Sequence, residues 1–187
     1  MKNISRDNQV EPVLDEVAER AKNLFLTQQQ FCSEAVLTVL NRAFNGGLPA
    51  ELAMRIASGF PEGLGGSGCV CGALNGGVLA LGLFLGRNGP GIANSRRVMG
   101  ATRRLHDEFR ERFGATCCRV LTKSVMDDKR AHFIQCAGIT GAGAKMAARI
   151  IIEQRPGVLG AVDYAYLKQH DSKVVACLKK ASGFFIR

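Results

Sequence analysis

The sequence predicts an all-α protein, folded as one compact domain around a glycine-rich buried central helix. Three observations carry this reading. Apolar residues recur every three to four positions along most of the chain, no period-two alternation persists, and glycine and proline interrupt the pattern at helix-length intervals. The 187 residues suffice for one core but not for two comfortable ones. Hydrophobic residues make up 47% and charged residues 22%, near the globular average, which excludes a disordered or collagen-like chain.

Each element follows from its own pattern. Val10, Leu14, Val17, Ala21 and Leu24 mark the first helix, with Pro12 suited to a first turn, where a missing N–H costs little. A second helix runs from about Ser33 to Phe44 on Val36, Val39, Leu40 and Phe44, and stops at Gly46-Gly47. Pro49 opens a third, with Leu52, Ile56 and Phe60 in line, which ends at Pro61. Residues 63–68 read as a flexible turn. The central helix, about Cys71 to Gly86, is apolar on all sides. Its Gly72 and Gly76 form a smooth stripe that lets another backbone approach.

An arginine-rich helix from about Asn94 to Phe113 follows, with Val98, Ala101, Leu105 and Phe109 on one line. A loop carries Cys117 and Cys118, a polar stretch reaches Arg130, and the last main helix covers about Ile139 to Glu153. Residues 157–187 form a C-terminal extension of two short helices, the second bearing Val174, Val175 and Leu178. The single domain thus spans 1–187.

The net charge is +9, from 25 Lys+Arg against 16 Asp+Glu. Basic surfaces attract anions in general, but the run Arg87, Arg96, Arg97, Arg103, Arg104, Arg110 and Arg112 falls mostly away from the apolar line. It reads as a solvated outer face, with an anionic ligand or an acidic protein partner as the alternative. Aromatics are sparse, with no Trp and 2 Tyr, which argues against a stacking platform and makes nucleic acid a disfavoured partner. Residues 1–20 lack an apolar signal region, and the apolar stretch 70–85, broken by glycines, falls short of a membrane span. The expectation is a cytoplasmic protein, off the membrane, with reduced thiols. A homodimer is the default assembly.

Few motifs carry chemistry. Gly63, Gly65 and Gly68 satisfy G-x-G-x-x-G, but no strand precedes them and no acidic residue follows at the spacing that holds a ribose. His106, His132 and His170 are scattered without i, i+4 pairing and read as surface residues. No Cys-x-x-Cys-His is present, so covalent haem has no attachment site, and no residue earns a catalytic assignment.

The seven cysteines remain. Cys177, amid Val174, Val175 and Leu178, reads as core. Cys71 stands where a glycine turn meets a helix, so free N–H groups and the helix dipole favour a low-pKa thiolate. Cys32 lies at the start of the second helix, Cys118 follows a loop, and Cys136 precedes the last main helix. Four thiols near helix starts is a pattern that packing alone does not require.

These segments also resemble a known family. Phe31-Cys32-Ser33-Glu34-Ala35-Val36, Gly59-Phe60-Pro61-Glu62-Gly63-Leu64-Gly65, Val70-Cys71-Gly72-Ala73-Leu74-Asn75-Gly76, Phe113-Gly114-Ala115-Thr116-Cys117-Cys118-Arg119 and Cys136 are similar, in order and spacing, to the C_GCAxxG_C_C family. Its members are described as redox-active, and a related domain accompanies an iron–sulfur centre in split-Soret cytochromes. The resemblance covers a family-like cysteine core over about 23–153 and implies Cys32, Cys71, Cys118 and Cys136 as the family cysteines. Cys69 and Cys117 depart from the pattern, each adding a thiol beside a family position.

Three accounts suit four converging thiols. The first is a cysteine-ligated iron–sulfur cluster for electron transfer or redox sensing, with Cys32, Cys71, Cys118 and Cys136 as ligands and Gly68 and Gly72 permitting close backbone approach. A zinc staple ranks lower, because no Cys-x-x-Cys knuckle is present. The metal-free alternative is a thiol–disulfide protein in which Cys71 attacks and Cys32 or Cys118 resolves. A zinc-stapled binding module with a basic helix completes the set.

Overall fold

A computed structural model describes residues 4–92, 95–174 and 177. The fold is all-α, in one domain. In chain order the helices are α1 (Ile4–Leu26), α2 (Cys32–Ala43), α3 (Ala50–Ala57), α4 (Pro61–Leu64), α5 (Gly72–Leu85), α6 (Arg96–Phe113), α7 (Cys118–Leu121), α8 (Lys129–Gln154) and α9 (Tyr164–Leu167). Short 3-10 turns occupy Lys123–Val125 and Pro156–Ala161.

The core is built around α5 and α8. The α5 helix packs against α2, α6 and α8, while α8 also packs along α1. Small residues set these distances. A Cβ on Gly76 would lie 2.6 Å from the Ser33 carbonyl oxygen and 2.9 Å from Val36 Cβ, so α2 and α5 meet backbone to side chain there. The smooth stripe expected on the central helix therefore faces α2. Leu81, Leu105, Phe109, Ile150 and Ile151 fill the space around it, fully buried.

On α6 the inward line is Ala101, Leu105 and Phe109, as the spacing predicts, and the arginines lie outward. Arg104 pairs with Glu108 at 2.6 Å and with Glu153 of α8, so part of the basic face is neutralised locally. Among the described residues no helix is long and apolar enough to cross a membrane.

Several expectations are corrected. Pro12 does not open α1; the helix begins at Ile4 and Pro12 lies inside it. On α3 the expected line of Leu52 and Ile56 is exposed, and Ala53 and Ala57 face inward instead. With these small residues facing inward, α3 lies close enough for Ser33 Oγ to donate to the Ala57 carbonyl at 2.9 Å. The last main helix starts at Lys129, ten residues early, because Asp128 caps it by accepting from the Arg130 and Ala131 N–H groups. Cys136 is consequently inside α8 and not ahead of it. Cys177 is exposed, not core. Val175 and Leu178, expected beside it, lie outside the described residues. Residues 169–171 fold back on α1, where Arg20 pairs with Asp171 at 3.1 Å with both side chains buried.

Candidate functional site

Between α2, α5, α7 and α8 lies a cavity of about 850 Å³. Cys32, Cys71, Cys118 and Cys136 all line it, each from a different helix or helix start. Sequences 104 residues apart, from Cys32 to Cys136, are thus brought to one wall by the packing of α2 and α5 against α8.

Local structure aims each sulfur. Cys32 is the first residue of α2, whose start is held by Glu34 Oε2 accepting from the Phe31 N–H at 2.9 Å. Cys71 is the residue from which α5 departs, and its own N–H is bonded to the Thr116 carbonyl at 2.7 Å. Cys118 opens α7. Helix starts leave backbone N–H groups without intrahelical partners, and here sulfurs take them up. The Glu62 and Ser33 N–H groups point to Cys32, that of Ala73 to Cys71, and that of Gly72 to Cys118. Glu62 reaches this position through a left-handed backbone, φ 56°, in a run that continues through Gly63 and Leu64.

The glycines at the site have steric roles. A Cβ on Gly72 would collide with Cys32 Sγ, so only glycine admits that thiol against the first turn of α5. Gly68 has φ +81°, and its carbonyl accepts from the Arg119 N–H at 3.0 Å. Gly72 thus lies against the Cys32 sulfur, whereas Gly68 lies against the Arg119 side chain.

Cys71 and Cys118 are coupled by a hydrogen bond. Cys71 donates, which together with burial pushes its own thiol up. Cys118, receiving that bond and the Gly72 N–H, is brought down to about 7. The expected low-pKa role of Cys71 is thereby reversed. The helix start does stabilise a thiolate, but the more exposed sulfur of the pair carries it. Burial, reinforced by the Cys118 charge, raises Cys32 to about 11, and burial with the Cys32 and Cys118 charges raises Cys136 to about 12. Four thiols crowded in one place resist ionising together.

The other two nearby cysteines do not join the cavity. Cys69 and Cys117 form a disulfide, which corrects the expectation that all thiols are free.

The remaining lining escaped the sequence reading. Phe25 of α1 stacks on Phe133 of α8 at 5.0 Å between ring centroids, and His132 and Lys129 stand on the same helix turn. His132, expected on the surface, is half-buried at the cavity wall. No signal could have shown this while α8 was taken to begin ten residues later. Gln30 brings an amide whose Oε1 is buried without a hydrogen-bond partner.

The sequence matches a family model over residues 30–150, described as "Putative redox-active protein (C_GCAxxG_C_C)". That match covers more than half of the chain and includes all four cavity cysteines. The chain belongs to the C_GCAxxG_C_C family. Comparison with curated proteins and with solved structures found no match. Within this family the chain keeps Cys32, Cys71, Cys118 and Cys136 free, while the added pair Cys69 and Cys117 is oxidised.

Proposed function

We propose that this redox-active protein holds a cysteine-ligated iron–sulfur cluster on Cys32, Cys71, Cys118 and Cys136 and works in electron transfer or redox sensing. The observation that carries the reading is the convergence of four free thiols from four elements on one cavity. Four cysteine sulfurs are the donor set such clusters use. Among the described residues no three His, Cys, Asp or Glu side chains gather closely enough to hold one ion. A zinc staple would need its donors around a single point.

The cluster would supply one-electron chemistry. The chain's own contribution is the environment of the sulfurs. N–H groups of Glu62, Ser33, Ala73 and Gly72 stabilise negative sulfur, which raises the potential of a ligated centre. Gly72 and Gly68 keep side chains from the space between the helix starts.

A metal-free thiol–disulfide role is the second reading, and the Cys71–Cys118 hydrogen bond favours it. There Cys118 is the nucleophile and Cys71 resolves, the reverse of the order expected from sequence.

Anaerobic purification with iron, zinc and acid-labile sulfide measured on one sample separates the readings. Iron with matching sulfide and a visible absorbance, lost in Cys71→Ser, supports the cluster. No metal after anaerobic reconstitution, with a Cys71–Cys118 disulfide under mild oxidant, overturns it in favour of the thiol role.

A further inference from the structure

We propose that Cys69 and Cys117 are a second redox couple, reduced by an external dithiol, whose closed form clamps Cys71 against Cys118. The inference goes beyond the cluster reading and stands on different residues.

The disulfide joins two loops far apart in sequence, its ends separated by 48 positions. On either side of it the same loops are tied by one backbone hydrogen bond. The Cys71 N–H donates to the Thr116 carbonyl at 2.7 Å, and the Arg119 N–H donates to the Gly68 carbonyl at 3.0 Å. Segments 68–71 and 116–119 therefore run side by side with the disulfide between the two bonds. The same two segments carry Cys71 and Cys118, the hydrogen-bonded thiols of the cavity.

Local packing explains why the loops come so close. A Cβ on Gly63 would collide with the Cys69 backbone, and one on Gly68 would press on Arg119 Cβ at 3.2 Å. Both glycines have positive φ, at +74° and +81°, which other residues adopt only at a cost. The turn that looks flexible in sequence is shaped to seat the Cys69–Cys117 bridge.

Both cysteines of the bridge are half-buried, not enclosed, so a thiolate from outside can reach the bond. Thiol–disulfide exchange is then balanced as follows. One thiolate of the dithiol attacks a sulfur of the bridge, breaking the Cys69–Cys117 bond and forming a mixed disulfide, while the released thiolate takes up a proton. The second thiol of the reductant loses its proton and attacks the reductant sulfur of the mixed disulfide, displacing the remaining cysteine as a thiolate that takes up a proton. Cys69 and Cys117 gain two electrons and two protons in total, and the dithiol leaves as its own disulfide. With the bridge open, only the two backbone hydrogen bonds hold segment 68–71 to 116–119, and the Cys71–Cys118 contact loses its covalent support.

The test is a titration of the full chain in reduced and oxidised dithiothreitol, with thiols counted by mass after alkylation in denaturant. The expected result is five thiols in the oxidised form and all seven after reduction, the difference mapping to Cys69 and Cys117. Amide hydrogen exchange of Cys71 and Arg119 should then rise about tenfold or more on reduction, and equally in Cys69→Ser/Cys117→Ser. Seven thiols throughout, or a two-thiol change at other cysteines, overturns the couple. Unchanged exchange at both amides overturns the clamp. Iron and sulfide analysed on the same samples report on the cluster separately, so loss of one proposal is not mistaken for loss of the other.

Discussion

Gly72 and Cys32 occupy one another's space: a Cβ on Gly72 would overlap the Cys32 sulfur, so the thiol of α2 rests directly on the first turn of α5. This contact couples the packing of two core helices to the position of a cavity thiol. It also makes the site sensitive to one methyl group.

Gly72→Ala is expected to push Cys32 out of the cavity wall and to destabilise the fold by about 1–3 kcal/mol, the usual cost of overpacking a tight contact. Denaturant unfolding measures the stability. Alkylation of Cys32 in the folded protein should become faster, and an unchanged rate would show that the thiol has another place to go without leaving the cavity.

The metal-free chain should show one thiol reacting well below the ordinary range of 9.0, namely Cys118 at about 7. Its alkylation rate is expected to fall as pH drops through 7, where the thiolate takes up its proton, and to level off above 8. Cys71→Ala removes the donor and returns Cys118 toward the ordinary value. At pH 7 the thiolate fraction then drops by up to roughly fifty-fold, partly offset by higher intrinsic nucleophilicity, for a net slowing of about fivefold. Mass-resolved alkylation across pH reads both curves.

Cys136→Ser and Cys177→Ser should differ completely. Cys136 lines the cavity, so its loss is expected to abolish iron and sulfide retention under the cluster reading. Cys177 is exposed, and serine there should leave metal content and visible spectrum unchanged. Equal effects from the two variants would contradict the ligand set.

The two faces of α6 predict opposite responses. Phe109 is fully buried, and Phe109→Ala should cost about 3–5 kcal/mol through lost transfer energy and the cavity it leaves. Arg103 is exposed, and Arg103→Ala should fall within about 0.5 kcal/mol of the parent. Thermal or denaturant unfolding of both variants checks the orientation of the helix.

Much of this molecule is local in origin and was therefore legible without a structure. The apolar periodicity of α2 and α6 determined both their existence and, for α6, which side faces inward, since Ala101, Leu105 and Phe109 share one stripe. The order and spacing of Cys32, Cys71, Cys118 and Cys136 determined the family and named the thiols that share the cavity. Where the local signal was misleading, long-range packing overrode it. The largest apolar residues of α3 point outward because Ala53 and Ala57 allow a closer fit to α2.

Tertiary structure alone decided the chemistry of the individual sulfurs. Which of Cys71 and Cys118 carries the charge depends on a hydrogen bond between helix starts that are remote in sequence, and on how deeply each is buried. The placement of Cys136 on the cavity wall depends on α8 beginning at its Asp128 cap. The Cys69–Cys117 bridge depends on two loops meeting across 48 residues. Periodicity reports which face of a helix is apolar, but it carries no information on which loops the packed helices bring together.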